Sequence, residues 1–228
     1  MTTHLSHGGV TVKRRILPAA ATFATTAVLL LTACGGEGDT RADDEIAGAE
    51  QGGTGKTASP SAIPSDVVKR PTIKLPGDVK NVFETWKTGD PTKDALLDDV
   101  KQRIDATDAA IVAADPEFKA LSFYYEGEAL AGAAEWVKGY VDDGKSITGT
   151  VRFFNPDLVM VDKDTAALAY CADETNASDK DRKTEKVEKV PASKDSYVAY
   201  NTRVQKNKQG VWQTTSLLSD RGNAKCTS

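Results

Sequence analysis

The sequence predicts an α+β domain with its helices first and its strands after them. Three observations carry that expectation. Between Asp78 and Gly144 apolar residues recur at helical spacing; beyond Gly144 the period falls to two and β-branched residues rise; and short polar turn signals separate the strand segments. Helices that precede strands in this way pack together on one face of a sheet.

The elements follow in chain order. Val79, Val82, Phe83 and Trp86 stand at helical spacing behind Gly77-Asp78 and predict a short amphipathic helix. Asp90-Pro91 supplies an N-cap and a first-turn proline. Leu96, Leu97, Val100, Ile104 and Ile111 then continue one apolar stripe towards Ala114, broken on that face by Thr107, and predict a longer helix. The apolar run from Phe118 to Ala134 leads into Trp136, Val137, Tyr140 and Val141, a helix ending at Asp143-Gly144. Ser146 to Phe154, Leu158 to Val161, Thr165 to Asp173, Ser196 to Lys206 and Val211 to Ser219 read as strands. Asp162-Lys163-Asp164 and Lys206-Asn207-Lys208-Gln209-Gly210 are tight turns, so the strands they join form antiparallel hairpins. Residues 174–195 read as a long polar connection.

The N-terminus carries a different signal. Lys13, Arg14 and Arg15 precede an uncharged, largely apolar segment from Ile16 to Ala33, the layout of a secretory signal. Leu31-Thr32-Ala33-Cys34-Gly35 closes it and resembles the lipobox of bacterial lipoprotein signal peptides. The resemblance implies cleavage before Cys34, a diacylglyceryl anchor on its sulfur, and a protein held at the extracytoplasmic side of the cell membrane. Two acyl chains meet the requirement for stable anchoring where one does not. An uncleaved transmembrane helix is the other reading, since about 18 to 20 apolar residues can span a bilayer. Pro18, four threonines and the placing of Cys34 weigh against it.

Cleavage there alters the chemistry that remains. His4 and His7, the two histidines, leave with residues 1–33. Removing Lys13, Arg14 and Arg15 from 29 basic residues leaves 26 against 33 acidic ones, a net charge of about −7. An acidic chain is a poor partner for nucleic acid, which needs a basic stripe. With Cys34 lipidated, Cys171 and Cys226 remain as a pair, and outside the cytoplasm such a pair tends to oxidise. Two buried free thiols are the alternative.

Gly35 to about Pro76 is rich in small, polar and proline residues and almost without large apolar ones, so residues 34–76 are expected as a disordered tether and 78–228 as the folded domain. Gly52-Gly53-Thr54-Gly55-Lys56-Thr57 mimics the end of a phosphate-binding loop. The pattern requires a glycine at position 50, which is glutamate, and neither a strand nor a helix flanks the segment.

Val159-Met160-Val161-Asp162-Lys163-Asp164-Thr165-Ala166, leading into Leu168-Ala169-Tyr170-Cys171-Ala172-Asp173, and later Gly210-Val211-Trp212, resemble the NTF2-like fold. More narrowly they are similar to small lipoproteins of high-GC Gram-positive bacteria with that fold. The resemblance implies an NTF2-like (cystatin-like) cone, with N-terminal helices packed on a curved antiparallel sheet around a pocket. Enzymes of that fold, such as ketosteroid isomerase and the polyketide cyclases, line the cone with an Asp base, Tyr or His.

A chain without histidine has no His-Asp pair, Ser-His-Asp triad or histidine-bound metal. Carboxylate chemistry stays open, with Tyr124, Tyr125, Glu126, Tyr170, Asp173, Tyr197 and Arg203 as candidate pocket residues. No recognised spacing ties two of these groups together, and neither a metal nor a cofactor site is indicated. The expected function is that of a non-enzymatic, membrane-anchored module binding a small ligand or an envelope protein. The alternative is an isomerase- or cyclase-like enzyme with Asp173 or Glu126 deep in the cone beside a tyrosine hydroxyl. A spacer role within an envelope assembly is indistinguishable from the first at the level of sequence.

Overall fold

The computed structural model describes residues 68–227. Cys34, the signal segment and the tether up to residue 67 lie outside the described residues. Six strands form one sheet in the order β1-β2-β3-β5-β6, with β4 paired to β3. The strands are β1 (Val79–Phe83), β2 (Lys145–Met160), β3 (Thr165–Asp181), β4 (Val187–Glu188), β5 (Tyr197–Lys206) and β6 (Trp212–Arg221). Three helices lie between β1 and β2: α1 (Pro91–Ala113), α2 (Lys119–Tyr124) and α3 (Gly127–Asp142). The fold is α+β, as the periodicities predict.

Helix α1 begins where its cap begins. The Asp90 carboxylate accepts from the backbone N–H of Thr92 and Lys93, and Pro91 fills the first turn. The helix ends at Ala114, whose φ of 54° is left-handed. Arg182, in the turn after β3, donates to the carbonyls of Ile111 and Val112 in the last turn of the helix. Leu96, Leu97, Val100 and Ile104 pack on Phe153, Leu168, Tyr170, Val198, Val204 and Trp212 from the sheet. A second core joins α1 through Ala106, Ala110 and Ile111 to Leu121, Tyr124, Val137 and Val211.

The segment expected as the first helix is a strand. Residues 79–83 pair in parallel with β2, from Val79 opposite Gly149 to Phe83 opposite Phe153, so the sheet is mixed rather than antiparallel. Val79, Asn81 and Phe83 face the helices on a two-residue period, while Val82 is exposed. Five residues with valines at two of them gain more from an open sheet edge than from one and a half turns of helix. Trp86, read as part of that helix, is buried in the core behind the strand.

Two further segments differ from expectation. Ser146–Phe154 and Leu158–Val161 belong to a single strand, β2, whose register shifts between Thr150 and Arg152 and between Phe154 and Asp157. These bulges absorb the break that the sequence pattern suggests. The polar connection 174–195 is in part ordered: β3 runs on to Asp181 and turns back into β4. Asp181 holds that turn by accepting from the N–H of Lys183 and Thr184. Gly149, at φ 100°, sits where a Cβ would lie 2.1 Å from the Asn176 carbonyl oxygen, so the close approach of β2 and β3 there requires glycine.

The domain starts upstream of Asp78. Arg70 grips Asp99 of α1 with two hydrogen bonds, Nε to Oδ1 at 2.6 Å and Nη2 to Oδ2 at 3.0 Å, and Val68 and Ile73 pack against the helical core. At the other end Cys171 and Cys226 form a disulfide across 55 residues.

Candidate functional site

The seven residues named from the sequence divide among three places. Tyr124, Tyr125 and Tyr170 are buried between α1 and the sheet, Asp173 and Tyr197 share the opposite sheet face, and Glu126 and Arg203 are on the surface. Strand alternation explains the split. Tyr170 and Asp173 are three residues apart on β3, an odd separation that sends them to opposite faces. Glu126 is the N-cap position of α3 and is solvent-exposed, with no capping hydrogen bond from its side chain. Neither carboxylate therefore stands beside the interior tyrosine hydroxyls.

The interior is organised by Arg103, which was not among the candidates. Its guanidinium donates to the Tyr170 hydroxyl at 2.6 Å and to the Tyr125 hydroxyl at 3.2 Å. Thr107 joins its Oγ1 to the same Tyr125 oxygen at 2.9 Å. Arg103 is 4% exposed, and among the described residues it makes no salt bridge. Its position was legible in outline. Leu96, Val100 and Arg103 fall on one helical stripe, and Thr107, the break in that stripe, is one turn further along.

Beside this network Asn81 of β1 donates to Asp105 at 2.9 Å and to Asp108 at 2.6 Å. Burial pushes the Asp108 carboxyl up to about 7, with the charges of Asp105 and Glu174 adding to the rise. Burial likewise raises the hydroxyl pKa of Tyr140 and Tyr200, and that of Tyr124 to about 12. Aromatic rings fill the remaining space: Trp86 meets Tyr170 edge-on at 5.2 Å, and Tyr170 stacks on Tyr200 at 5.0 Å.

The sheet face turned away from the helices carries a groove of about 370 Å³. Glu84, Thr85, Arg152, Asn155, Tyr197 and Thr227 contribute to its lining, drawn from four separate stretches of chain. Arg152, Asp173 and Tyr197 are register partners across β2, β3 and β5. Arg152 donates to Glu84 at 3.1 Å and to Asp173 at 2.9 Å, and its guanidinium lies 4.7 Å from the centre of the Phe154 ring. Burial works against the Asp173 charge, but hydrogen bonds from Thr175 and Arg152 outweigh it and hold the carboxyl below its ordinary range. Thr85 and Asn155, both in the lining, have φ of 59° and 50°, left-handed values uncommon outside glycine. Arg152, Thr85 and Asn155 were missed because the groove comes together only through strand pairing.

Among the described residues no group of three His, Cys, Asp or Glu side chains converges as a metal site would require, and no helix is long and apolar enough to cross a membrane.

No family model and no curated protein matches the chain. Similar solved structures include Aln2 from a Streptomyces species, at 16% identity over 59% of this chain and 94% of that one, with a TM-score of 0.40. An NTF-2 like protein of unknown function from Shewanella oneidensis is 16% identical over 54% of this chain and 96% of that one, with a TM-score of 0.34. A ketosteroid isomerase-like protein from Erwinia carotovora atroseptica is also 16% identical, over 54% and 92%, with a TM-score of 0.33. These scores are low, and the role of the site rests on the side chains of this chain.

Proposed function

We propose that this protein is a non-enzymatic binding module of the cell envelope, anchored through lipid on Cys34, and that its ligand or partner is received at the Arg152 groove. The carrying observation is the convergence of four chain segments on one concavity, with two non-glycine residues in left-handed conformations in its lining. The placing of the candidate carboxylates favours binding over catalysis. A base must lie within hydrogen-bond reach of the proton it takes, yet Glu126 is exposed and Asp173 is committed to Arg152 on the face opposite Tyr170. The Cys34 anchor is supported by the lipobox resemblance.

Site-specific photo-crosslinking in intact cells tests the binding role. A photoreactive residue at position 155 should yield adducts that the same residue at Lys138, on the exposed side of α3, does not. Equal labelling at the two positions, or none at either, would remove the groove from consideration.

A further inference from the structure

We propose that the groove binds the hydroxyl-rich end of a neutral sugar, an inference that rests on the binding role above and specifies its ligand. Charge is the first ground. Among the described residues the ionised side chains on the groove wall are Glu84 and Arg152, and they are paired with each other at 3.1 Å. The second arm of Arg152 is taken by Asp173 behind the wall. Among the described residues one guanidinium answers two carboxylates, so an anion meets net negative charge while each carboxylate already holds a cationic partner, and a neutral ligand disturbs these pairs least.

The second ground is the kind of polar group left over. Among the described residues the amide of Asn155 and the hydroxyl of Tyr197 make no side-chain hydrogen bond. A guanidinium carries five N–H donors, and Arg152 uses two. Planar amide, guanidinium and carboxylate groups can each bridge two neighbouring hydroxyls, as found on adjacent carbons of a sugar ring. The third ground is the aromatic edge. Tyr197 is half-buried in the groove wall and offers an amphipathic ring, a surface for the C–H face of a sugar. The volume of about 370 Å³ is at the small end for ligand sites and suits one or two rings.

Saturation-transfer NMR on the full chain, held in a zwitterionic detergent without a sugar headgroup, tests the inference with three probes of one shape. These are methyl glucoside (neutral), glucuronate (anionic) and glucosamine (cationic). Methyl glucoside should receive saturation at least as strongly as either charged analogue. Tyr197→Ala and Asn155→Asp should each weaken its binding at least fivefold, Tyr197→Phe less, and Lys138→Ala not at all. An unchanged cooperative thermal melt reports that each variant is folded. No transfer to methyl glucoside, a tenfold preference for a charged probe, or indifference to both groove variants overturns the inference. Crosslinking at position 155 without sugar binding leaves the groove as a protein-binding site and sinks the sugar alone; failure of both removes the two proposals together.

Discussion

The Arg103 guanidinium donates to the Tyr170 hydroxyl at 2.6 Å in the centre of the domain, and among the described residues no carboxylate is in salt-bridge contact with it. A buried cation held only by hydroxyls and aromatic rings is an uncommon core element, because desolvation of the charge is answered by dipoles alone. Arg103→Ala leaves a cavity, strips Tyr170 of its partner and should lower unfolding stability by about 3 kcal/mol. Arg103→Met restores most of the volume without a charge and should cost less than half as much. Urea denaturation of the two variants checks this, and equal losses would show that the charge rather than the packing matters.

Asp108 gives stability a distinct pH dependence. With its carboxyl at about 7 in the folded protein, the native state keeps a proton that the unfolded chain releases near pH 4. Stability therefore declines as pH rises from about 4 to 7 and levels off beyond, through this group. The groups facing it include Asp105 and Arg103 on its own helix, Asn81 on β1, Glu174 on β3 and Tyr140 on α3. Asp108→Asn keeps a partner for the Asn81 amide and cannot ionise. It should gain roughly 1 to 3 kcal/mol over the wild type at pH 8 and flatten the slope below 7. Parallel pH profiles for the two proteins would count against this account.

Asp99 is buried and receives both Arg70 and the backbone N–H of Trp212 at 3.0 Å. Arg70 is 39% exposed, so solvent weakens its share. Arg70→Ala should cost about 1 to 2 kcal/mol, and Asp99→Ala about 3, since the latter also leaves the Trp212 amide without an acceptor. Thermal melts of the two variants rank these effects.

The disulfide closes a 55-residue separation. In the chain-entropy model its removal costs up to about 4 kcal/mol. Cys226→Ser should lower the denaturation midpoint and free the C-terminal wall of the groove, raising hydrogen exchange in residues 222–227. A variant that loses stability with unchanged exchange there would separate the two effects.

Lipidation at Cys34 predicts that Cys34→Ala releases the protein from the membrane fraction. Metabolic labelling with an alkyne fatty acid should mark the wild type alone.

The bounds of α1 were readable because its signals are local: Asp90-Pro91 at one end and the chain's turn at Ala114 at the other. The cysteine pair was readable by counting. Strand β1 was not, because what makes Val79–Phe83 a strand is Gly149 to Phe153, some 70 residues away. Valines at 79 and 82 are three apart, a helical spacing, and in the strand they fall on opposite faces. Arg103 was hidden for the opposite reason. A charged residue within an apolar stripe reads as an interruption until Tyr125 and Tyr170 are found around it. The division of Tyr170 from Asp173 followed from strand parity alone and could have been drawn from the sequence.

The clasp of Arg70 on Asp99 has a mechanical meaning. Any tension entering the domain from its N-terminal side meets this clasp before it meets β1. The load passes directly into α1, the longest of the described helices, and through the Trp212 amide into β6, at the far edge of the sheet from β1. The edge strand that would otherwise be peeled away first is shielded by an ion pair ahead of it.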